Sequence, residues 1–202
     1  NEVKALVATS ALGMGFDKPD LGFVVHLGAP SSPVTYYQQV GRAGRATDSA
    51  DVLLLPGSED QEIWRYFATN AMPTRQRAAS VLEVLAASDV PLTVPALESR
   101  VELRRGALEL LLKVLAVDGA VENRAGGWVA TGADWIYDEE RYSRIAAARV
   151  AEQQAMLEYE TLGHARCRME FLTAALDDPH SRPCGRCDTC TRPWYPTGVT
   201  AE

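Results

Sequence analysis

The sequence predicts an α/β fold, a parallel sheet with helices, in the N-terminal part of the 202-residue chain. A small domain of three helices and a hairpin is expected next, and then a helical C-terminal part. Three observations predict this order. Short apolar runs between Gly/Pro turns are typical of buried parallel strands. Apolar residues at helical spacing follow and end in a Gly-Gly turn. All four cysteines then lie between Cys167 and Cys190.

Composition excludes several classes of protein. The chain is 47% hydrophobic and 23% charged, which is ordinary globular usage and argues against disorder. It lacks both a run of eighteen apolar residues and a signal peptide, so we expect no membrane span and a cytoplasmic location, nucleoid-associated if the source is bacterial. A net charge of −7 argues against nucleic-acid binding through bulk charge, although a local basic face remains compatible with it. Because the chain starts at Asn1 directly before an apolar run, we expect an internal part of a longer protein.

The first predicted domain covers residues 1–75. Apolar runs predict strands at residues 3–8, 23–27 and 52–56. Pro33 suits the first turn of a helix, so a helix is expected over residues 32–43. A further helix over 59–75 is expected to end at Pro73.

The second predicted domain, residues 76–137, has the element order of a winged helix. Apolar spacing predicts helices at residues 77–87, 94–100 and 102–117. Two short runs around Arg-Ala-Gly-Gly, within 120–131, predict a hairpin. The alternative for this segment is an unrelated helical insertion.

The third predicted domain covers residues 138–192. Its residues 138–176 are rich in helix-forming residues, and Gly163 is expected to divide them into two helices. Residues 193–202 are expected to form a tail.

The cysteines follow the spacing Cys167-x16-Cys184-x2-Cys187-x2-Cys190. Zn²⁺ prefers four tetrahedral ligands, and two overlapping Cys-x2-Cys turns plus Cys167 supply them. Since no ligand position is left for water, we expect a structural zinc site. The alternatives are two disulfides, which loops this short would strain, and a redox Cys-x2-Cys pair.

Two motifs lie in the first predicted domain. Thr9, Ser10 and Asp17 lie in a Gly-rich segment, residues 8–20, that follows the first predicted strand. Arg42 and Arg45, expected on one helix face, close the run Tyr-Tyr-Gln-Gln-Val-Gly-Arg-Ala-Gly-Arg. Guanidinium groups suit phosphate oxygens because they stay charged and bind in a bidentate manner. Either motif alone fits an ordinary turn or a solvated helix, but their order, with a strand between them, favours a functional pair.

These residues carry a family resemblance. Residues 8–20 resemble motif V and Gln38–Arg45 resemble motif VI of superfamily II helicases. The whole run, A-T-S-A-L-G-M-G-F-D-K-P-D then F-V-V-H then Y-Y-Q-Q-V-G-R-A-G-R, is similar to RecQ-like DNA helicases, which also carry four cysteines at this spacing. The resemblance covers residues 1–58 and about 140–192. It implies a second, partial RecA-like lobe, dependence on ATP and Mg²⁺ in the full-length enzyme, 3′ to 5′ movement, and DNA and an N-terminal RecA-like lobe as partners.

The resemblance also implies roles for single residues. Arg45 matches the arginine finger, and Arg42 matches its companion in nucleotide sensing. Gln38 and Gly41 belong to the same nucleotide motif, and Asp17 is expected in the nucleotide region. Thr9 and Ser10 are expected to contact the DNA backbone.

The chain departs from the family pattern in three ways. Ala46-Thr47-Asp48 replaces the usual Asp-Gly after the second arginine. The chain has no Gly-Lys pair and therefore no P-loop, so we expect it to be inactive alone. Asp138-Glu-Glu-Arg141 mimics a DExx box but is expected to start a surface helix. The winged-helix-like segment precedes the cysteines instead of following them, which suggests a divergent subfamily.

Three residues of the winged-helix-like segment are candidate DNA contacts. Arg104 and Arg105 open its third helix, where cations and free N–H groups bind phosphate. Trp128 lies in the predicted wing, where its ring would either stack on a base pair or pack into the domain core. The sequence thus predicts the C-terminal portion of an ATP-dependent RecQ-like DNA helicase. The alternative is a zinc-containing winged-helix module that binds DNA or regulates without motor activity.

Overall fold

The computed structural model describes residues 4–9, 18–70 and 73–193. The chain divides into two compact units. Unit 1 comprises residues 1–64 and 150–202, and unit 2 comprises residues 65–149. The three-part division at residues 75, 137 and 192 stays a prediction, and the expected tail lies outside the described residues apart from Pro193.

Unit 1 contains a small parallel sheet. Strand β1 (Phe23–Leu27) is followed by helix α1 (Pro33–Val40) and strand β2 (Asp51–Leu55), and Phe23 pairs with Asp51 in parallel register. This confirms the parallel strand–helix–strand order. The strand predicted at residues 3–8 is wrong for its described part, because residues 4–9 form no strand and lie exposed. A strand needs a neighbour to satisfy its backbone groups, and within the described residues β1 and β2 pair only with each other.

One face of this sheet is covered and the other is open. Val24 and Leu54 pack against the buried cluster of unit 1. Phe23, Val25 and Leu27 point to the opposite face and are exposed, as side chains alternate along a strand.

Helix α2 (Asp60–Asn70) begins in unit 1, where the indole N–H of Trp64 donates to the carbonyl of Ala29 at 2.9 Å. The carboxylate of Asp60 accepts hydrogen bonds from the backbone N–H groups of Ala29 at 2.6 Å and Gly57 at 2.8 Å. This carboxylate therefore fixes the turn after β1 to the turn after β2.

Unit 2 has three helices and a hairpin in the predicted order. Its elements are helices α3 (Arg75–Ala86), α4 (Val94–Glu98) and α5 (Arg105–Val117) and antiparallel strands β3 (Val121–Arg124) and β4 (Gly127–Ala130). Helix α5 is shorter than predicted because Arg104 takes an extended conformation at its N-cap. The fully buried side chains of Val81, Leu97, Leu108, Leu112 and Leu115 form an aliphatic core.

Asp118 closes the far end of α5. Its carboxylate accepts hydrogen bonds from Arg141 at 2.8 Å, from the indole of Trp135 at 3.2 Å and from the hydroxyl of Tyr142 at 3.3 Å. Burial alone would raise the pKa of Asp118, but the bonds from Arg141 and Trp135 outweigh it and hold the pKa below its usual value. The segment after the hairpin is thereby fastened to α5.

Two further helices follow in the part of the chain that the structure describes, as predicted from Gly163. They are α6 (Glu139–Glu160) and α7 (Arg168–Ala174). In unit 1, the end of α6 and α7 pack with α1. Their shared core is rich in aromatic and bulky side chains: Tyr36, Val40, Trp64, Met156, Tyr159, Phe171 and Leu172. The sheet and the cysteine region therefore share one core.

Candidate nucleotide and metal sites

Helix α1 leads into the arginine motif. The hydroxyl of Ser32 caps the helix by accepting from the N–H of Thr35 at 3.1 Å, and Pro33 occupies the first turn. The helix ends at Val40, not at residue 43 as predicted. Gly41 serves as its C-cap, and Gly44 has φ +74°, a left-handed conformation that a helix cannot hold.

The two arginines therefore lie in a loop, residues 41–46, which we term the arginine loop. The prediction that they project from one helix face is wrong, because the helix ends before them. Arg42 is half-buried and Arg45 is exposed, and the Nε of Arg45 donates to the carbonyl of Gly41 at 3.3 Å. Gln38, on α1, is exposed, as is Gly41. An exposed guanidinium on a short loop after a rigid helix suits contact with a phosphate bound to another part of a protein.

The arginine loop is tied to the end of the Gly-rich motif. The N–H of Gly44 donates to the carbonyl of Leu21 at 3.0 Å, and the N–H of Ala46 donates to the carbonyl of Pro19 at 2.9 Å. The two motifs, separated in sequence by a strand and a helix, are thus adjacent at this point. Thr9 is exposed, whereas Ser10 and Asp17 lie outside the described residues.

Sequence reasoning missed His26, which lies in the middle of β1. Its Nε2 is 2.6 Å from Oε1 of Gln39, and its ring meets the ring of Tyr36 edge-on at 5.1 Å. A histidine inside an otherwise apolar strand was the available signal. These contacts hold α1 against the sheet.

The four cysteines meet at one point, which we term the cysteine cluster. Their sulfur atoms all lie within 4.8 Å of one another, and all four are free thiols. The Sγ of Cys187 is 3.7 Å from that of Cys167 and 3.5 Å from that of Cys190. A tetrahedral ion with bonds of about 2.3 Å to sulfur places its ligands about 3.8 Å apart, so the cluster fits such an ion.

Local structure prepares these sulfurs as ligands. Cys167 is the N-cap of α7, and Gly185 has φ +69° in the turn between Cys184 and Cys187. The Sγ of Cys167 accepts from the N–H of Cys184 at 3.2 Å, and the Sγ of Cys184 accepts from the N–H of Cys187 at 3.4 Å. Backbone donors of this kind stabilise thiolates.

The thiols differ in acidity. At Cys187, burial is outweighed by hydrogen bonds, the strongest from the hydroxyl of Thr189, which lower the pKa to about 6. Bonding to Cys187 raises the pKa of Cys190 to about 12, and burial raises the pKa of Cys184. A cation among the sulfur atoms would favour the ionised form of the thiols that bind it.

The candidate DNA contacts of unit 2 lie at two places. Arg104 and Arg105 are exposed at the start of α5, but the N–H of Arg105 donates to Glu98 at 2.9 Å and its side chain pairs with Glu109 at 3.0 Å. Trp128 is half-buried, its N–H and C=O both bond to Leu92, and its side chain packs against the core of unit 2.

Comparison with known proteins shows which family the chain resembles. Residues 1–47 match the family model of the helicase conserved C-terminal domain. The chain is 30% identical over 201 residues to the ATP-dependent DNA helicase RecQ of Synechocystis sp., a match that covers 94% of this chain and 39% of the relative. It is 41% identical over 66 residues to RecQ of Bacillus subtilis, covering 33% of this chain and 11% of the relative. It is 50% identical over 60 residues to ATP-dependent DNA helicase Q1 of Mus musculus, a match that covers 30% of this chain and 9% of the relative.

The parallel sheet and the family match together indicate the C-terminal, RecA-like lobe of a superfamily II helicase. Within that class, the chain belongs to the RecQ-like helicases and corresponds to their C-terminal part. The chain spans about two fifths of the length of the Synechocystis relative and a smaller share of the other two relatives. Within the described residues, no helix is both long enough and apolar enough to cross a membrane.

Proposed function

We propose that this chain is the C-terminal portion of an ATP-dependent DNA helicase that couples ATP hydrolysis to 3′ to 5′ translocation and strand unwinding. The supporting observation is the arginine loop, which presents Arg45 to solvent directly after a well-capped helix. The direction of movement follows from the family resemblance alone.

In this proposal Arg45 and Arg42 complete a nucleotide pocket whose other wall is an N-terminal RecA-like lobe. Arg45 would donate N–H bonds to the γ-phosphate oxygens of ATP, and Mg²⁺ in the full-length enzyme would supply further positive charge there. A contact of this kind contributes about 10³–10⁵ in rate in phosphoryl transfer. Gln38, Gly41 and Asp17 are proposed to line the same pocket.

The exposed face of the sheet supports the proposal that the RecA-like lobe has further elements. Phe23, Val25 and Leu27 are exposed side by side on β1, and Leu55 is exposed on β2. Parallel sheets are covered on both faces in α/β proteins. We propose that further elements of the same RecA-like lobe cover this face in the full-length protein.

The DNA contacts are proposed to come from both units. Thr9 and Ser10 of motif V would meet the backbone of one strand. Unit 2 is proposed to be a winged-helix domain, with Arg104 and Arg105 at phosphates and Trp128 at the wing. Glu98 and Glu109 already engage Arg105, which makes exposed Arg104 the better phosphate contact of the two. Action on DNA is consistent with a cytoplasmic, nucleoid-associated location.

We propose Zn²⁺ as the ion of the cysteine cluster. Four sulfur ligands satisfy its tetrahedral preference and leave no open position, so its contribution would be structural. The short separations between the sulfur atoms support this assignment.

The motor proposal is tested by replacing Arg45 with Ala in the full-length protein and measuring DNA-stimulated ATP hydrolysis. We expect kcat to fall by about 10³-fold or more while DNA binding is retained. Arg144→Ala is the matched control, because Arg144 is exposed on α6 and belongs to neither motif. ATPase activity near the wild-type level in Arg45→Ala would reject the motor and favour a zinc-containing winged-helix module.

A further inference from the structure

Arg168 connects the two halves of the cysteine cluster. It follows Cys167 directly, and its Nε donates to Oδ1 of Asp188, which follows Cys187, at 2.5 Å. The side chains of Arg168 and Asp188 are only 24% and 16% exposed, so water screens this ion pair weakly. Closing the cluster around an ion therefore fixes both ends of the pair.

The same guanidinium also reaches the end of α6. Its Nη1 donates to the carbonyl of Tyr159 at 2.9 Å, and its carbon lies 5.4 Å from the centre of the Tyr159 ring. Cation–π contact and a charge-assisted hydrogen bond both favour one position of this ring.

Tyr159 in turn contacts α1. Its buried ring lies 5.3 Å from the buried ring of Tyr36. Tyr36 lies one helical turn before the end of α1, which leads directly into the arginine loop. A continuous line of contacts thus runs from the cysteine cluster to the arginine loop, entirely within unit 1.

We infer that Arg168 is a positioning residue, which transmits metal occupancy at the cysteine cluster through Tyr159 and Tyr36 to α1. With metal bound, Asp188 holds the guanidinium, the guanidinium holds the Tyr159 ring, and the ring holds α1 in place. Without metal, the loop that carries Asp188 is released and α1 loses this support. The consequence for Arg42 and Arg45 depends on the proposed ATPase function, but the ordering of α1 does not.

Chain variants separate this link from metal binding itself. Arg168→Gln removes the pair with Asp188 and the bond to Tyr159. Arg166→Gln is the matched control: it removes the same charge one residue before Cys167, but Arg166 pairs with exposed Glu158 at 3.1 Å and stacks on Phe171. Arg168→Lys keeps the charge, and Tyr159→Phe keeps the ring while removing its hydroxyl group. If Arg168→Gln binds zinc too weakly to be studied in the zinc-loaded form, these two variants test the link instead.

The experiment measures amide hydrogen exchange of α1 and the arginine loop with zinc and with a chelator, after metal analysis of each variant. We expect zinc to slow α1 exchange about tenfold in the wild type and in Arg166→Gln. In zinc-loaded Arg168→Gln we expect most of this protection to be lost. The protection of α1 in Arg168→Lys and Tyr159→Phe should lie between that of Arg168→Gln and that of the wild type. Equal α1 exchange with and without zinc, or full protection in zinc-loaded Arg168→Gln, would overturn the inference.

Enzyme kinetics provide the second readout. In the full-length protein saturated with zinc, Arg168→Gln should lower kcat of ATP hydrolysis several-fold with little change in KM, because a misplaced arginine weakens mainly the transition state. If zinc slows exchange of α1 but Arg45→Ala keeps its ATPase activity, the motor proposal is rejected and the link from the cysteine cluster to α1 is retained. If zinc does not change exchange of α1 but the ATPase activity depends on Arg45, the link is rejected and the motor proposal is retained.

Discussion

The two units of this chain are stabilised in different ways. Unit 2 has an aliphatic core closed by α3, α4, α5 and the hairpin. Unit 1 has an aromatic-rich core, an open apolar sheet face and a cysteine cluster held by short polar contacts. Burial of aliphatic side chains is therefore the main source of stability in unit 2, whereas unit 1 depends more on specific polar links and on what covers its exposed sheet face. The proposed nucleotide and metal sites both lie in unit 1.

The largest effect is expected from truncating the core of unit 2. Leu112 is fully buried on α5, so Leu112→Ala should lower the free energy of unfolding by about 2–5 kcal/mol through lost burial and a cavity. Hydrogen exchange of α5 and the hairpin measures this loss. Val117→Ala, at an exposed position of the same helix, should change little. Metal content should be unaffected, and loss of metal in Leu112→Ala would contradict the separate stabilisation of the two units.

A smaller effect is expected at Trp128. Because its ring packs on the core of unit 2, Trp128→Ala should destabilise that unit by about 1–3 kcal/mol. If the ring also contacts DNA at the wing, unwinding by the full-length protein should fall more than ATP turnover does. Arg104→Ala provides the contrast, since it should weaken DNA binding and lower its salt dependence without changing stability. Equal loss of unwinding and turnover in Trp128→Ala would leave only the core role.

The smallest effect is expected at Asp118 and depends on pH. The pKa of Asp118 is lowered in the folded unit, so its stabilisation is present above the unfolded value of about 4 and is lost as pH falls through the folded value. Asp118→Asn should lower the unfolding midpoint by a few degrees at neutral pH. The difference from the wild type should shrink under acid conditions. A difference that does not vary with pH would show that the carboxylate charge is unimportant.

Much of the fold could be predicted from the sequence because its signals are local. The Gly-Gly pair predicts the hairpin turn because glycine adopts positive φ readily, and Gly126 and Gly127 indeed have φ +99° and +142°. Gly127 also passes so close to Leu92 that an added Cβ would lie 2.3 Å from the Leu92 carbonyl oxygen. The cysteine spacing likewise predicts that the four sulfurs meet.

Other features depend on contacts between distant residues and left no local signal. Residues 4–9 read as a strand but have no strand beside them in the described chain. The predicted helix over residues 32–43 is longer than α1 for a local reason, because Gly41 and Gly44 belong to the arginine motif and also end the helix. The link from Arg168 to Tyr159 and Tyr36 joins residues far apart in sequence, and spacing alone could not reveal it.

The central claim is that unit 1 is completed by a metal ion in the cysteine cluster, and metal analysis of the purified chain tests it most directly. We predict one zinc ion per chain, lost in Cys184→Ser, and four cysteines that react with a thiol reagent once the metal is removed. A folded, metal-free chain whose cysteines are paired as disulfides would contradict the account.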